Sequence, residues 1–400
     1  MKTSFLKWLL PLLCILLFSA WYGCSILVKP QPEAKLQKLT YHNISGHDWT
    51  DDLDFNDIDL AVEQSIKYYG QLSPDELFQY GDFMYSAEEM IASMRLFMSI
   101  IESSEGKERL HKLKEKFHYF ESKNSKGEAF FTGYYEPLLS GSLVPTEEFT
   151  EPLYTTPDDL IEVDLGKFSQ QWEHEKIVGR LESRKLVPYD SRDDIVYKKS
   201  LDGRAEPIAY VKEIELFFLQ IQGSGLISLQ NGSTIRVNYA QKNGHPYRAI
   251  GRILSDKIPN EEMSLQSIKE YLYAHPEEVK DILNYNQSYV FFRKAEEGPL
   301  GNIGVPLTPL RSIAMDKRGI PKGGLAFIQT ELPELVGDRI DRWKSIRRFS
   351  LVQDTGGAIR DHGRADIFLG HGEKAALIAG HLKQRGRIFL LVAKKEFLNQ

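Results

Sequence analysis

Leu351–Gly370 reads LVQDTGGAIRDHGRADIFLG. An apolar run (Phe349, Leu351, Val352) ends on Asp354 and enters a Gly-Gly turn, and Asp366 opens a second apolar run (Ile367, Phe368, Leu369). Apolar runs bounded by glycines predict two strands joined by a glycine-rich loop, with an acid at a strand end on each side. Carboxylates held close together shift each other's pKa, and acid catalysis near neutral pH needs such a shift. Asp354 and Asp361 also fit ordinary turn positions, since Asp beside Gly is a common turn pair.

Working outward, strands are predicted at Ile208–Val211, Glu215–Ile221, Ser288–Arg293, Ala326–Thr330, Arg348–Gln353, Asp366–Leu369 and Arg387–Ala393. Short strands with glycine-rich turns toward the C-terminal end point to a small closed barrel. The region before them reads as helical. Ser73-Pro74-Asp75-Glu76 has the form of an N-cap, a proline at N1 and Glu at N3, and Ser86-Ala87-Glu88-Glu89 is a second capping box. Ile91, Met94, Met98 and Ile101 then keep helical spacing, and Leu110, Leu113, Phe117 and Phe120 form another stripe. Three or four helices over 51–122 follow, with a helical interlude at Ser264–Tyr285 that restarts at Pro276. The fold class is mainly β with helices (α+β).

The chain has 400 residues, 42% of them hydrophobic, and a net charge of −6, which describes a folded body of two or three domains. No basic excess calls for nucleic acid as a partner. An acidic segment at Asp51–Asp59 and a basic cluster of Arg342, Lys344, Arg347 and Arg348 read as solvated faces or loops. The only cysteines are Cys14 and Cys24, so the folded body has no disulfide framework and no cysteine-ligated metal. None of the ten histidines pairs at ligand spacing with a nearby acid, and we expect no metal and no cofactor.

Lys2 and Lys7 flank a charge-free run, Trp8–Val28. A secretory signal needs about 7–15 apolar residues and a membrane span about 20, so this run fits either. Gly23-Cys24 has the ending of a lipoprotein signal, which would put a lipid on Cys24; an uncleaved membrane anchor is the alternative. Either way residues 1–28 export and tether the body, and 29–50, with Pro30 and Pro32, form a polar linker.

Three further motifs carry chemistry. In FTGYYEP, aromatic faces of Tyr134 and Tyr135 can stack on sugar rings, the Thr132 hydroxyl can bond sugar hydroxyls, and Gly133 permits close backbone approach. Strand alternation turns one of the two tyrosines inward. In FFLQIQGSG, Gln220 and Gln222 would line one face of a strand that closes in Gly223, Ser224 and Gly225, a row suited to uncharged polar groups, although an exposed strand edge fits as well. NYAQKNGHPYRAIG gathers amides around a turn at Asn243-Gly244, with His245 more often structural than functional at such a place.

FTGYYEP, the QGSG segment, KNGHPYR, VPLTPLRSIAMD and DTGGAI…DIFLG occur in this order over about 270 residues. Together they resemble the membrane-bound lytic murein transglycosylase A family, including its anchored N-terminus. The resemblance implies a double-psi β-barrel, related to barwin and expansins, at 51–137 and 291–400. A second, β-rich domain inserted at 138–290 would form the other wall of a groove. It also implies cleavage of the β-1,4 bond between N-acetylmuramic acid and N-acetylglucosamine, leaving a 1,6-anhydro product. The family's catalytic Asp opens the D-I-[FY] motif and falls on Asp366; the D-x-G-G-A-I acid is Asp354. The implied partners are peptidoglycan glycan strands and cell-wall enzyme complexes, at a membrane-anchored site facing the periplasm, on the outer membrane.

The residues agree with that chemistry. A lytic transglycosylase needs one acid, because the substrate's own C6 hydroxyl replaces the water that hydrolysis requires. Asp366 would act as acid and then base, its pKa raised by burial beside Phe368 or by Asp354, and Asp354 would orient and stabilise. Thr132, Tyr134, Tyr135, Gln222 and Ser224 are the groove candidates. Two other readings exist: a non-catalytic wall-binding module of expansin type, and an aspartic protease built on Asp354-Thr355-Gly356. The protease would need a homodimer, since no second D-[ST]-G occurs.

Overall fold

The computed structural model describes residues 36–398 except 125, 174, 317 and 358. The anchor segment with Cys14 and Cys24, and residues 29–35 of the expected linker, lie outside the described residues. The rest of that stretch is not a linker, because Gln37–Lys38 pairs as a strand with Phe120 and Glu121, Tyr41–Ser45 is a short helix, and Leu36, Leu39, Ile44 and Trp49 are buried in the core. Three longer helices come early: α1 (Ile58–Gly70), α2 (Ala87–Ser103) and α3 (Gly106–Lys116). Ser86 caps α2 reciprocally, its backbone N–H donating to Glu89 Oε2 (2.9 Å) while Glu89 N–H donates to Ser86 Oγ (3.2 Å). Ser73–Glu76, expected to open a helix, is a turn that leads into a hairpin of Leu77–Tyr80 and Phe83–Ser86. Phe78 and Tyr80 are buried at a spacing of two, with Tyr85 buried across the hairpin from Phe78, and that alternation overrides the cap pattern. The stripe beginning at Leu110 also divides: α3 stops at Lys116, and Phe117 and Phe120 belong to a strand, β1 (Phe117–Ser122).

After β2 (Ala129–Glu136) the chain leaves on an excursion and builds a four-stranded sheet. Its strands are β3 (Leu138–Gly141), β4 (Ser224–Leu229), β5 (Thr234–Lys242) and β6 (Val290–Lys294), ordered β6–β5–β4–β3. The expected strand Glu215–Ile221 is instead helical, within α4 (Glu213–Gln222). Leu216 and Leu219 pack on Ile227, Val237 and Phe292 of the sheet, while Ile214, Phe217 and Phe218 face a second cluster with Leu272 and Ile282. A helix apolar on two sides reads in sequence like a buried strand. Those partners come from α5 (Leu265–Ala274) and α6 (Pro276–Asn284).

The chain returns as β7 (Ser312–Ala314), β8 (Leu325–Val336), β9 (Arg339–Asp354), β10 (Arg364–His371), α7 (Glu373–His381) and β11 (Lys383–Ala393). Six strands close into a barrel in the order β2–β11–β8–β9–β7–β10 and back to β2, so the ring has no free edge. The pairs β7·β9 and β10·β2 are parallel, and the rest are antiparallel. Phe131, Ile313, Phe327, Phe349, Leu351, Ile367 and Phe389 fill the core. Gln353 is wholly buried: its Oε1 accepts from Ser312 Oγ (2.6 Å) and its Nε2 donates to the Ala61 carbonyl (2.7 Å), fastening α1 to β7 and β9.

The charged runs are not both solvated. Arg311 and Asp51 form an ion pair with both side chains fully buried, Nη1 to Oδ2 at 2.7 Å and Nη2 to Oδ1 at 3.0 Å. Arg348 forks onto Asp52 at 3.0 and 2.6 Å, and Arg347 pairs with Asp48 at the surface. Acidic and basic segments some 300 residues apart in sequence therefore complement each other in the fold. Removing one partner of a buried pair leaves an uncompensated charge, whereas an exposed pair is worth little. Asp51→Ala should lower stability in urea denaturation by about 3–5 kcal/mol. Arg347→Ala should change it by less than about 1 kcal/mol.

Candidate active site

Alternation decides what β2 and β10 present. Phe131, Tyr135, Ala365 and Ile367 point into the barrel core. Thr132, Tyr134, Arg364, Asp366 and Phe368 therefore share the opposite, outer face. Register brings them together: Asp366 pairs with Thr132 and Phe368 with Tyr134. The Thr132 hydroxyl donates to Asp366 Oδ1. Arg364 Nε lies 3.3 Å from Oδ1, while its Nη2 lies 3.5 Å from Oδ2 and 3.4 Å from Thr132 Oγ1. The Asp366 side chain keeps 18% of its surface exposed, so it is held yet reachable.

Asp354 closes β9. Its Oδ1 accepts from the backbone N–H groups of Asn302 (2.9 Å) and Thr355 (2.8 Å). Both acids flank one residue, because Ala314 of β7 pairs with Asp354 on one side and Asp366 on the other. Two strand spacings put their Cα atoms about 10 Å apart. The Tyr134 ring rests against Phe368, with centroids 5.3 Å apart. Its buried hydroxyl lies beside Asp354, close enough to feel that charge.

Burial pushes the Asp354 carboxyl up to about 6, and the charge of Asp366 adds to the rise. The N–H groups of Thr355 and Asn302 and the Tyr134 hydroxyl act in the other direction. Asp366 differs in its surroundings, since its carboxylate carries an arginine and a hydroxyl. Arg364 was missed, although its place two residues before Asp366 was the signal for a shared face. Asp361 is a turn residue, its Oδ1 accepting from Gly363 N–H (2.8 Å). Arg318 braces the loop between the acids, bridging the buried Asp316 (2.8 Å) and the Arg360 carbonyl (2.9 Å).

Several groove candidates have other duties. Tyr135 is 5% exposed and belongs to the core. A Cβ on Gly133 would meet Leu369 Cδ1 at 2.6 Å and Ala379 Cα at 3.2 Å, so this glycine lets α7 press on the barrel and does not admit a ligand. The QGSG segment is a junction. Gly223 (φ +83°) ends α4 in the left-handed conformation, its N–H bonded to the Leu219 carbonyl (2.9 Å). Ser224 is buried and pairs with Asn238, and a Cβ on Gly225 would lie 2.4 Å from Leu219 Cδ1. Gln222 Oε1 accepts from the Tyr135 N–H (3.2 Å). Gln220 accepts from Arg192 (2.5 Å) inside the excursion, so the expected row of amides does not exist. His245 Nε2 meets the Tyr189 carbonyl at 2.8 Å, a structural contact. Among the described residues no cluster of His, Cys, Asp or Glu could hold a metal ion.

Residues 130–293 match the MltA specific insert domain and residues 311–392 the 3D domain. Membrane-bound lytic murein transglycosylase A of Escherichia coli (strain K12) is 31% identical over 279 residues, which span 68% of this chain and 67% of that protein. This chain belongs to the membrane-bound lytic murein transglycosylase A family. Among solved structures, the membrane-bound lytic murein transglycosylase of Agrobacterium tumefaciens aligns with a TM-score of 0.73 at 27% identity, over 90% of this chain and 98% of that one. MltA of Neisseria gonorrhoeae aligns with a TM-score of 0.60 at 30% identity, over 81% and 96%. The family's two matched segments meet at the site, Thr132 and Tyr134 lying in the first and Asp354 and Asp366 in the second.

The raised Asp354 has a consequence for stability. Its folded pKa lies above the unfolded value, so its contribution is present at low pH and is lost as pH rises through about 6. Asp354→Asn should therefore melt a few degrees above the wild type at pH 7.5. The gap, worth of order 2–3 kcal/mol at most, should close as pH falls from 6 toward 4 in scanning fluorimetry.

Proposed function

We propose that this protein cleaves the β-1,4 bond between N-acetylmuramic acid and N-acetylglucosamine in peptidoglycan and closes the muramyl product to the 1,6-anhydro form. The observation that carries the reading is the division of labour between the two acids. Asp366 sits on the outer face, reachable and gripped by Thr132 and Arg364. Asp354 is withdrawn, with one oxygen already committed to two backbone N–H groups. Hydrolysis would require both to work on substrate and water. One working acid suits a reaction in which the substrate supplies its own nucleophile.

In that reaction Asp366 gives its proton to the bridging oxygen, and the bond from that oxygen to C1 breaks. The C6 hydroxyl of the same sugar attacks C1, and Asp366 takes up the proton this hydroxyl releases. Atoms balance without water, and the pre-positioned hydroxyl is worth up to about 7–11 kcal/mol in effective concentration. Asp354, ionised above about pH 6, stabilises positive charge developing at C1. Thr132 and Tyr134 line this part of the groove, whose other wall is the 138–290 domain. The double-psi winding of the barrel belongs to the same reading, as does tethering through a lipid on Cys24 or an uncleaved anchor at the outer membrane, facing the periplasm. The membrane-bound family name supports that tethering.

The test is digestion of purified murein by the full chain in detergent, with products read by mass spectrometry. Anhydro-muropeptides are expected from the wild type, and Asp366→Asn should lose at least about 1,000-fold in rate while keeping its melting temperature and murein binding. Reducing-end products, or no cleavage by the wild type, would overturn the reading. Asp354→Asn should retain turnover about 10- to 100-fold below wild type, and its rate profile should lack the rise near pH 6 expected of the wild type.

A further inference from the structure

A cavity of about 370 Å³ opens on the wall formed by β1 and β11, and shares no residue with the site around Asp366. Its lining includes Gln37, His42, Asn43, Glu121, Lys123 and Arg387. Glu121 is buried, and its two oxygens are taken by different cations. Oε1 accepts from Arg387 Nε (3.1 Å) and Nη2 (2.9 Å), while Oε2 faces Lys123 Nζ at 2.8 Å. Arg387 Nη1 also reaches His47 Nδ1 at 3.3 Å. Two cations thus share one carboxylate, and both stay partly open to the cavity, with side-chain exposures of 34% for Lys123 and 42% for Arg387.

The remaining lining is of another kind. The side chains of Gln37, His42 and Asn43 make no hydrogen bond or ion pair with any described residue. A recess with one unbalanced positive charge attracts an anion, and free amides offer the donors and acceptors that a peptide group requires. The volume suits a ligand of about two residues. Glu121 already demonstrates how these two cations grip a carboxylate from one side.

We propose that this cavity binds a short peptide bearing a free carboxylate, the carboxylate between Lys123 and Arg387 and the amide against Gln37 and Asn43. The choice of source rests on the function proposed above: on a wall polymer, such a peptide is the one the glycan strands carry. The cavity would then read the peptide while the groove holds the sugar chain.

The experiment is calorimetric titration of the full chain in detergent with three probes: the dipeptide L-alanyl-D-γ-glutamate, its diamide, and inorganic phosphate. The dipeptide should bind saturably, and the diamide and phosphate at least about fivefold more weakly. Lys123→Gln, which leaves Arg387 on Glu121, should weaken the dipeptide by a similar factor without changing cleavage of uncross-linked glycan chains. Absence of dipeptide binding, phosphate bound as tightly as the dipeptide, or wild-type affinity in Lys123→Gln would each overturn the proposal. Binding is read without any cleavage, so failure here leaves the catalytic reading standing, and failure of that reading leaves this titration interpretable.

Discussion

Arg311 lies fully buried between the segment that precedes α1 and the barrel wall, and the placement of the site follows from it. Its guanidinium holds both oxygens of Asp51, the Asn56 carbonyl (2.8 Å) and the Phe349 carbonyl (2.8 Å), and its own carbonyl accepts from Leu351 N–H (2.7 Å). A buried charge is tolerated only when its donors are satisfied in this way. The next three residues are β7, too short to hold its register by its own ladder. Yet β7 sits between β9 and β10 and decides which of their residues face one another. A slip of one position would turn Asp366 or Asp354 away from the shared face.

From that register follows an asymmetric pair of acids. Ala314 separates them by two strand spacings, and the ends of their strands differ in surroundings. Asp354 meets two backbone N–H groups in a desolvated corner, and Asp366 meets a hydroxyl and an arginine on an open face. Two like residues are thereby given different environments, a pattern that serves acid–base chemistry in many enzymes. Burying an acid beside another acid costs folding free energy, and the fastening of Arg311, Gln353 and Arg318 around the loop supplies the rigidity that holds the arrangement.

What was legible in the chain follows the range of the forces involved. Alternation around Asp354 and Asp366 is local, so their strands, the glycine loop between them and the inward turn of one of Tyr134 and Tyr135 could be read directly. The closed ring was readable as a barrel from strand number and spacing, though not its strand order. The α4 segment was misread because its apolar residues serve two cores at once and mask the helical period. The QGSG residues looked like ligand contacts, but their glycines answer to a helix end and to Leu219, neighbours that appear only on folding. Asp51 and Asp52 looked solvated because their arginine partners, Arg311 and Arg348, lie far along the chain.

In the proposed reaction the sugar attacks itself and water takes no part. Digestion of murein in water enriched in oxygen-18 tests this directly. Muramyl ends should carry no oxygen-18 at C1; incorporation of the label at C1 during cleavage would contradict intramolecular attack.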